Sequence, residues 1–307
     1  MSFFFKTPDG GKIKENLSRR HTREPLHYTA NNSPKISGLS SAALFSPVSG
    51  RVKIGFVGMA AGVGVTTLCF AAAEYLAALS AVRSSRAKHI QQPGRIVTML
   101  ELDLRREAPA GRPYDKIGID RRFAGRDYTS LYRLAAGGNP LHCVMNIDGG
   151  IGWALRVPDE SDPVYDTTAL HRLLNNASGN IILCDISAHG ILHESASYAK
   201  RDALLDLLAD LDHMICVFDP LPSRLLASAP VAETCRAAAT AGVPVTNVFN
   251  KYNPGVNLRE AIRFTGVKEY MSFPAVSAES VYGAEYACRS LASDPGFKTA
   301  LTRLFND

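Results

Sequence analysis

The tightest constraint on this chain is one strand–turn–helix stretch. Ile54, Gly55, Phe56 and Val57 form an apolar run of strand length. A turn holding Gly58, Gly62 and Gly64 follows, then the pair Thr66 and Thr67, then a small-residue apolar segment over 68–79 that reads as a helix. Such a turn aims main-chain N–H groups and a helix N-terminus at one point, which suits an anion such as phosphate. In a complete phosphate-binding loop a lysine neutralises the anion and a hydroxyl takes Mg²⁺. Here the lysine position holds Val65, the magnesium position Thr66, and the first glycine of the pattern is replaced by Met59. Backbone N–H groups and Mg²⁺ need no lysine to hold phosphate, whereas cations at the transition state of phosphoryl transfer contribute about 10³–10⁵ in rate. Binding is therefore expected to outlast hydrolysis.

Further apolar runs follow at intervals, several ending in a polar residue. Residues 95–103 end in Glu101 and Asp103, 180–185 in Asp185, 214–219 in Asp219, and 245–251 in Asn250 and Lys251. Between them, helical patterns are expected near 129–136, 167–176, 201–211 and 228–241, a polar loop over 82–94, an irregular stretch around Pro109, Gly111 and Pro113, and a turn with a short strand over 149–158. Alternation of this kind selects an α/β fold: three layers, doubly wound, a mostly parallel sheet with helices on both faces. Ligands of open sheets bind beyond the carboxyl ends of the strands, where the loop, the acids and Asn250 all fall. Taken singly, Asp103 also reads as a solvated strand-end acid or an N-cap. Asn250 also reads as a cap on the turn Asn253-Pro254-Gly255.

The run Gly62-Val63-Gly64-Val65-Thr66-Thr67 resembles the deviant Walker A loop of the ParA/MinD-type P-loop ATPases (SIMIBI class), written KGGVGKTT. Aligned so, the family's signature lysine falls on Ala60, its next glycine on Ala61 and its main lysine on Val65. The chain is thus similar to degenerate members such as TadZ-like and BcsQ-like proteins, over roughly residues 50–305. The resemblance implies ATP or ADP with Mg²⁺, bound weakly by Gly62, Val63, Gly64, Val65, Thr66 and Thr67, with Thr66 and Asp185 toward the metal. It implies Asp103 as the catalytic acid near the attacking water, with Glu101 replacing the first acid of the family's Asp-x-Asp, and Asn250 on the adenine edge. It implies a homodimer and a bacterial-type role in placing or assembling a partner complex, such as a pilus or secretion apparatus, with weak or absent hydrolysis. The other implied role is an active ATP-dependent dimerisation switch for partitioning or positioning. Whether the chain is an enzyme stays open, with a weak ATPase the most that the loss of both lysines allows.

Of 307 residues, 46% are hydrophobic and 21% charged, enough for a sizeable core. Residues 1–50 differ, with few large apolar residues and no sustained period, and read as a disordered basic tail before a domain over 51–307. The tail holds seven Lys or Arg against three Asp or Glu, so it carries +4 of the chain's +5. Its cluster Arg19, Arg20, His21 and Arg23 fits nucleic acid, an anionic membrane or an acidic partner, or a solvated leader. No signal peptide or membrane-crossing stretch is read from the sequence. Six dispersed cysteines without a CxxC pair fit a reducing cytoplasm, with attachment to the membrane's inner face only through a partner. His189 and His193 stand four apart without a matching carboxylate motif. Candidate cations to replace the lysines are Arg105, Arg106, Arg224 and the basic segment over 116–133, which also reads as a solvated face. A last helix over 294–307 puts Phe297, Leu301, Leu304 and Phe305 on one stripe and is expected to pack onto the sheet.

Overall fold

The computed structural model describes residues 51–86, 97–102, 113–119, 145–148, 151–156, 167–177, 179–188 and 198–306, together with Leu44. The chain divides into two units, Met1–Ser33 and Pro34–Asp307, and the described residues all belong to the second.

The first strand, β1 (Val52–Gly58), runs through the glycine turn into helix α1 (Val65–Arg86). Then come β2 (Val97–Leu102), the short α2 (Pro113–Ile117), β3 (Met145–Asp148), β4 (Ile151–Ala154), α3 (Thr167–Asn176), β5 (Ile181–Ile186) and α4 (Tyr198–Ala209). The second half holds β6 (His213–Phe218), α5 (Pro222–Ala227), α6 (Ala229–Thr240), β7 (Val245–Tyr252), α7 (Leu258–Thr265), β8 (Met271–Pro274), α8 (Ala278–Tyr286), a 3₁₀ turn (Leu291–Ser293) and α9 (Pro295–Asn306). Among the described residues the strands form one sheet in the order β3-β4-β2-β5-β1-β6-β7-β8. Every pairing is parallel except β3 with β4, so seven parallel strands carry one antiparallel edge strand. The expected doubly wound α/β architecture is what the chain adopts.

Strands β2, β5 and β6 are buried along their whole length, because both sheet faces are covered and successive side chains enter opposite cores. Ile181 and Leu183 of β5 join Ile54 and Phe56 of β1 beneath α1 and α9. Ile182 and Cys184 join Leu100, Leu102 and Val57 beneath α3, α4 and α6. Leu44, within the stretch expected to be a tail, is buried in the first of these cores. The last helix packs as its stripe implies. Phe297, Leu301, Leu304 and Phe305 are all buried, Phe297 meets Phe273 edge-on at 5.1 Å, and Phe305 stacks on Tyr75 at 6.1 Å.

Several local expectations are corrected. The segment from Val82 continues α1 to Arg86 instead of opening a loop, and Pro113 starts a helix, where its fixed φ and missing N–H are tolerated. The first 18 residues of α1, Val65–Val82, are long and apolar enough to cross a bilayer, contrary to the sequence reading; 61% of that window is buried within the protein. A helix enclosed on its apolar surfaces in this way is the core element of an α/β domain. The helix expected over 129–136 lies outside the described residues.

The amino-terminal edge of the sheet carries a polar network. Lys53 Nζ lies 2.7 Å from Asp210, and His171 Nδ1 lies 3.2 Å from its other oxygen. Burial alone would raise the Asp210 carboxyl, yet Lys53 and His171 outweigh it and hold the group below its ordinary range. His213 is buried beside Thr246, Nε2 to Oγ1 at 2.8 Å, and burial pushes its imidazole down to about 4. Cys69, Cys184, Cys216, Cys235 and Cys288 are buried free thiols. Cys143 lies outside the described residues.

Candidate functional site

The parallel sheet brings the carboxyl ends of β1, β5, β6 and β7 to one edge, and the glycine turn sits there over β1, between β5 and β6. Gly62 and Gly64 take φ of +70° and +86°, the left-handed region where a side chain is strained. The amide of Leu68 donates to the Gly64 carbonyl at 3.0 Å, which starts α1 at the turn. No acid occupies the first turn of α1, so its N–H groups keep their partial positive charge.

The apolar replacements leave the turn clear of large side chains. Met59 is 1% exposed and belongs to the core beneath α3 and α4; it does not point into the turn. Val65 is also buried and folds back on β1, where a Cβ built on Gly58 would meet its Cγ1 at 2.9 Å. Ala60 is 2% exposed, so the position of the family's signature lysine lies inside the core and not on the surface.

Thr66 and Asp185, the pair expected to face a metal, are brought together: the Thr66 hydroxyl donates to Asp185 Oδ2 at 2.7 Å. Asp185 is 2% exposed and stands in register with Glu101 of β2, whose Oε2 accepts the Arg156 N–H at 2.9 Å. A hydroxyl beside a carboxylate is an oxygen donor set that suits Mg²⁺ rather than a soft metal. Among the described residues no group of three or more His, Cys, Asp and Glu comes together, so such an ion would rely on phosphate oxygens and water for its remaining ligands. Backbone N–H groups, Thr66 and Asp185 therefore fit a Mg²⁺-nucleotide phosphate. Asp103, Arg105, Arg106, His189 and His193 lie outside the described residues.

Asn250 is buried, and its Nδ2 donates to the Val63 carbonyl at 2.9 Å, gripping the loop from β7. The neighbouring Lys251, a site residue that the sequence reading passed over, takes φ of 57° and donates Nζ to the Gly62 carbonyl at 2.5 Å. That ammonium also lies 3.4 Å from Oδ2 of Asp219, which is 3% exposed and accepts the Leu221 N–H on its other oxygen at 3.0 Å. Arg224 of α5 is exposed, and a Cβ on Gly62 would lie 3.5 Å from its guanidinium. On the far side of the loop, Lys116 donates to Thr67 Oγ1 at 3.2 Å and pairs with Glu285 at 2.9 Å. The other cations of the basic segment, Arg121, Arg122, Arg126 and Arg133, lie outside the described residues. The signal for Lys251 was its place beside Asn250 at a strand's carboxyl end. Its partner Gly62 stands 189 positions away, which no local pattern reveals.

Solved structures share this architecture. A ParA family ATPase from Chlorobium tepidum TLS superposes with a TM-score of 0.61 at 14% identity, over 84% of this chain and 100% of that one. The chain has the ParA/MinD fold. The cell division ATPase MinD of Pyrococcus furiosus matches this ParA/MinD-like chain with a TM-score of 0.56 at 14% identity, over 82% and 96% of the two chains. A putative plasmid partition protein of Borrelia burgdorferi, solved bound to AMPPNP, matches with a TM-score of 0.57 at 12% identity, over 83% and 97%. No protein-family model matches the sequence. No curated protein matches it either.

Proposed function

We propose that this chain is a ParA/MinD-like nucleotide-binding protein that places or assembles a partner complex, with weak or absent ATP hydrolysis. The observation that carries the reading is the 2.7 Å bond from Thr66 to Asp185 beneath a glycine turn clear of Val65 and Met59. A loop kept only for packing would have no need of a hydroxyl and a buried carboxylate meeting at the start of α1. ATP or ADP with Mg²⁺ is the ligand the donors suit, held by the amides of residues 62–67, with Thr66 and Asp185 toward the ion and Asn250, which also holds the Val63 carbonyl, on the adenine edge.

Weak turnover follows from charge. Ala60 is buried and Val65 is apolar, so neither brings a cation to the γ-phosphate. Asp103 is the proposed acid beside the attacking water. The working form is a homodimer bound to a protein partner, a reading supported by the fold shared with a cell division ATPase and a plasmid partition protein. A cytoplasmic location, peripheral to the membrane only through that partner, is supported by the five buried free thiols. A pilus or secretion assembly is the kind of partner that this reading favours.

Calorimetric titration of Mg·ATP into the native protein and into Val65→Lys tests the proposal. Saturable binding by the native chain, tightened by the lysine, is the expected result. A native chain that takes up no nucleotide would reduce the loop to an inherited shape.

A further inference from the structure

We propose that Arg224 of α5 supplies the cationic charge that the glycine turn itself lacks, while Lys251 of β7 fixes the turn and cancels the Asp219 carboxylate, so that a nucleoside triphosphate is held by side chains reaching in from outside the loop. The inference rests on the nucleotide reading above and names the residues that make it possible. Both loop positions where a cation is expected, Ala60 and Val65, are apolar and buried, so the charge must come from elsewhere. Two cations converge on the outer turn at Gly62: the Lys251 ammonium at 2.5 Å from its carbonyl, and the Arg224 guanidinium 3.5 Å from where its Cβ would be.

The surroundings of Lys251 indicate that its position is set. Its backbone is held at φ 57°, an uncommon state for a side chain of this size, and this aims the ammonium back over the loop. Asp219, buried beneath it, forms an ion pair with the ammonium at 3.4 Å. The lysine thus offsets a carboxylate that would otherwise repel an anion at the turn. Arg224 pairs with no acid among the described residues, and it is exposed. A guanidinium in that state presents a fork of donors matched to phosphate oxygens. The ammonium fixes the turn and neutralises Asp219 while the guanidinium meets the entering phosphate.

The test is calorimetric titration of Mg·ATP and, separately, of inorganic tripolyphosphate into the full chain and into Arg224→Gln, Lys251→Asn, Lys251→Arg and the Arg224→Gln/Lys251→Asn double variant. Asparagine tolerates the left-handed backbone, so Lys251→Asn removes charge without forcing the turn. Each charge-removing single change is expected to weaken both probes about tenfold, and the double variant about a hundredfold. Lys251→Arg should keep affinity near native, and raised salt should weaken the native protein more than the double variant. Melting curves report folding, and Arg224→Gln alters an exposed side chain, so its result stands even if Lys251→Asn unfolds. If the native chain binds Mg·ATP and every variant binds within about twofold of it, the substitute-cation inference is overturned and the nucleotide reading stands. If the native chain binds neither probe, both fall.

Discussion

Asn250 occupies the space that a side chain on Gly64 would need: a Cβ built on the glycine would lie 2.6 Å from the amide nitrogen of Asn250. That amide is committed to the Val63 carbonyl and is buried, so it has little room to withdraw. Gly64→Ala meets both this collision and a φ of +86°, whereas Gly62→Ala meets a φ of +70° with its nearest neighbour at 3.5 Å. We expect Gly62→Ala to cost about 1 kcal/mol, the left-handed penalty alone, and Gly64→Ala about 2–4 kcal/mol. Urea denaturation of the two variants checks the order. Equal costs would mean that Asn250 does not constrain the turn.

Thr66 and Asp185 lie 119 positions apart and meet through one hydroxyl proton. Thr66→Ala should abolish the part of nucleotide affinity that depends on Mg²⁺ while leaving binding in EDTA unchanged. Thr66→Ser, which keeps the hydroxyl, should retain the metal dependence. Titrations with and without Mg²⁺ separate these outcomes, and a Thr66→Ala protein as responsive to Mg²⁺ as the native one would remove this pair from the ion site.

Acid should destabilise the fold in two stages. The His213 imidazole is pushed from 6.5 down to about 4, so between those values the unfolded chain binds the extra proton. The sign follows: this stability is complete above pH 6.5 and is lost as the pH falls toward 4. The loss is about 3 kcal/mol at most at 1.36 kcal/mol per unit. Asp210, held low by Lys53 and His171 against its burial, adds a loss only below the ordinary carboxylate range. Denaturation midpoints between pH 7 and 4 should slope in the native protein and flatten in His213→Gln.

The last helix should behave as core. Phe305 and Leu301 are fully buried, and Phe305 stacks on Tyr75. Phe305→Ala should cost about 3–5 kcal/mol of stability and Leu301→Ala about 2–5 kcal/mol. Neither change should alter recovery of the protein on anionic vesicles. A helix serving as a membrane anchor would give the reverse, with lost vesicle binding and little change in melting.

The sheet was readable because strands covered on both faces become continuous apolar runs, as in Ile181 to Cys184. The acid closing that run fell at the sheet's carboxyl edge within hydrogen-bond reach of Thr66, and Asn250 came to the same edge. Boundaries failed where polar residues prolong structure past the core, as in α1, where Val82 is half exposed and the helix still runs to Arg86. The short strand β8 was hidden by its length and by Pro274. Helix α7, by contrast, carried usable marks. Asn257 caps its start by accepting the Arg259 N–H, and Gly266 ends it at φ 69°. Ala60 and Val65 showed what the loop had lost. Arg224 and Lys251, distant in sequence from Gly62, gather there only once α5 and β7 are placed.

The central position of β1 has one more implication. Thr66 is fastened toward β5, on the side that leads to β2, β4 and β3, while Val63 and Gly62 are fastened toward β7, on the side that leads to β8. A guest entering between these anchors would meet attachments to both wings of the molecule at once.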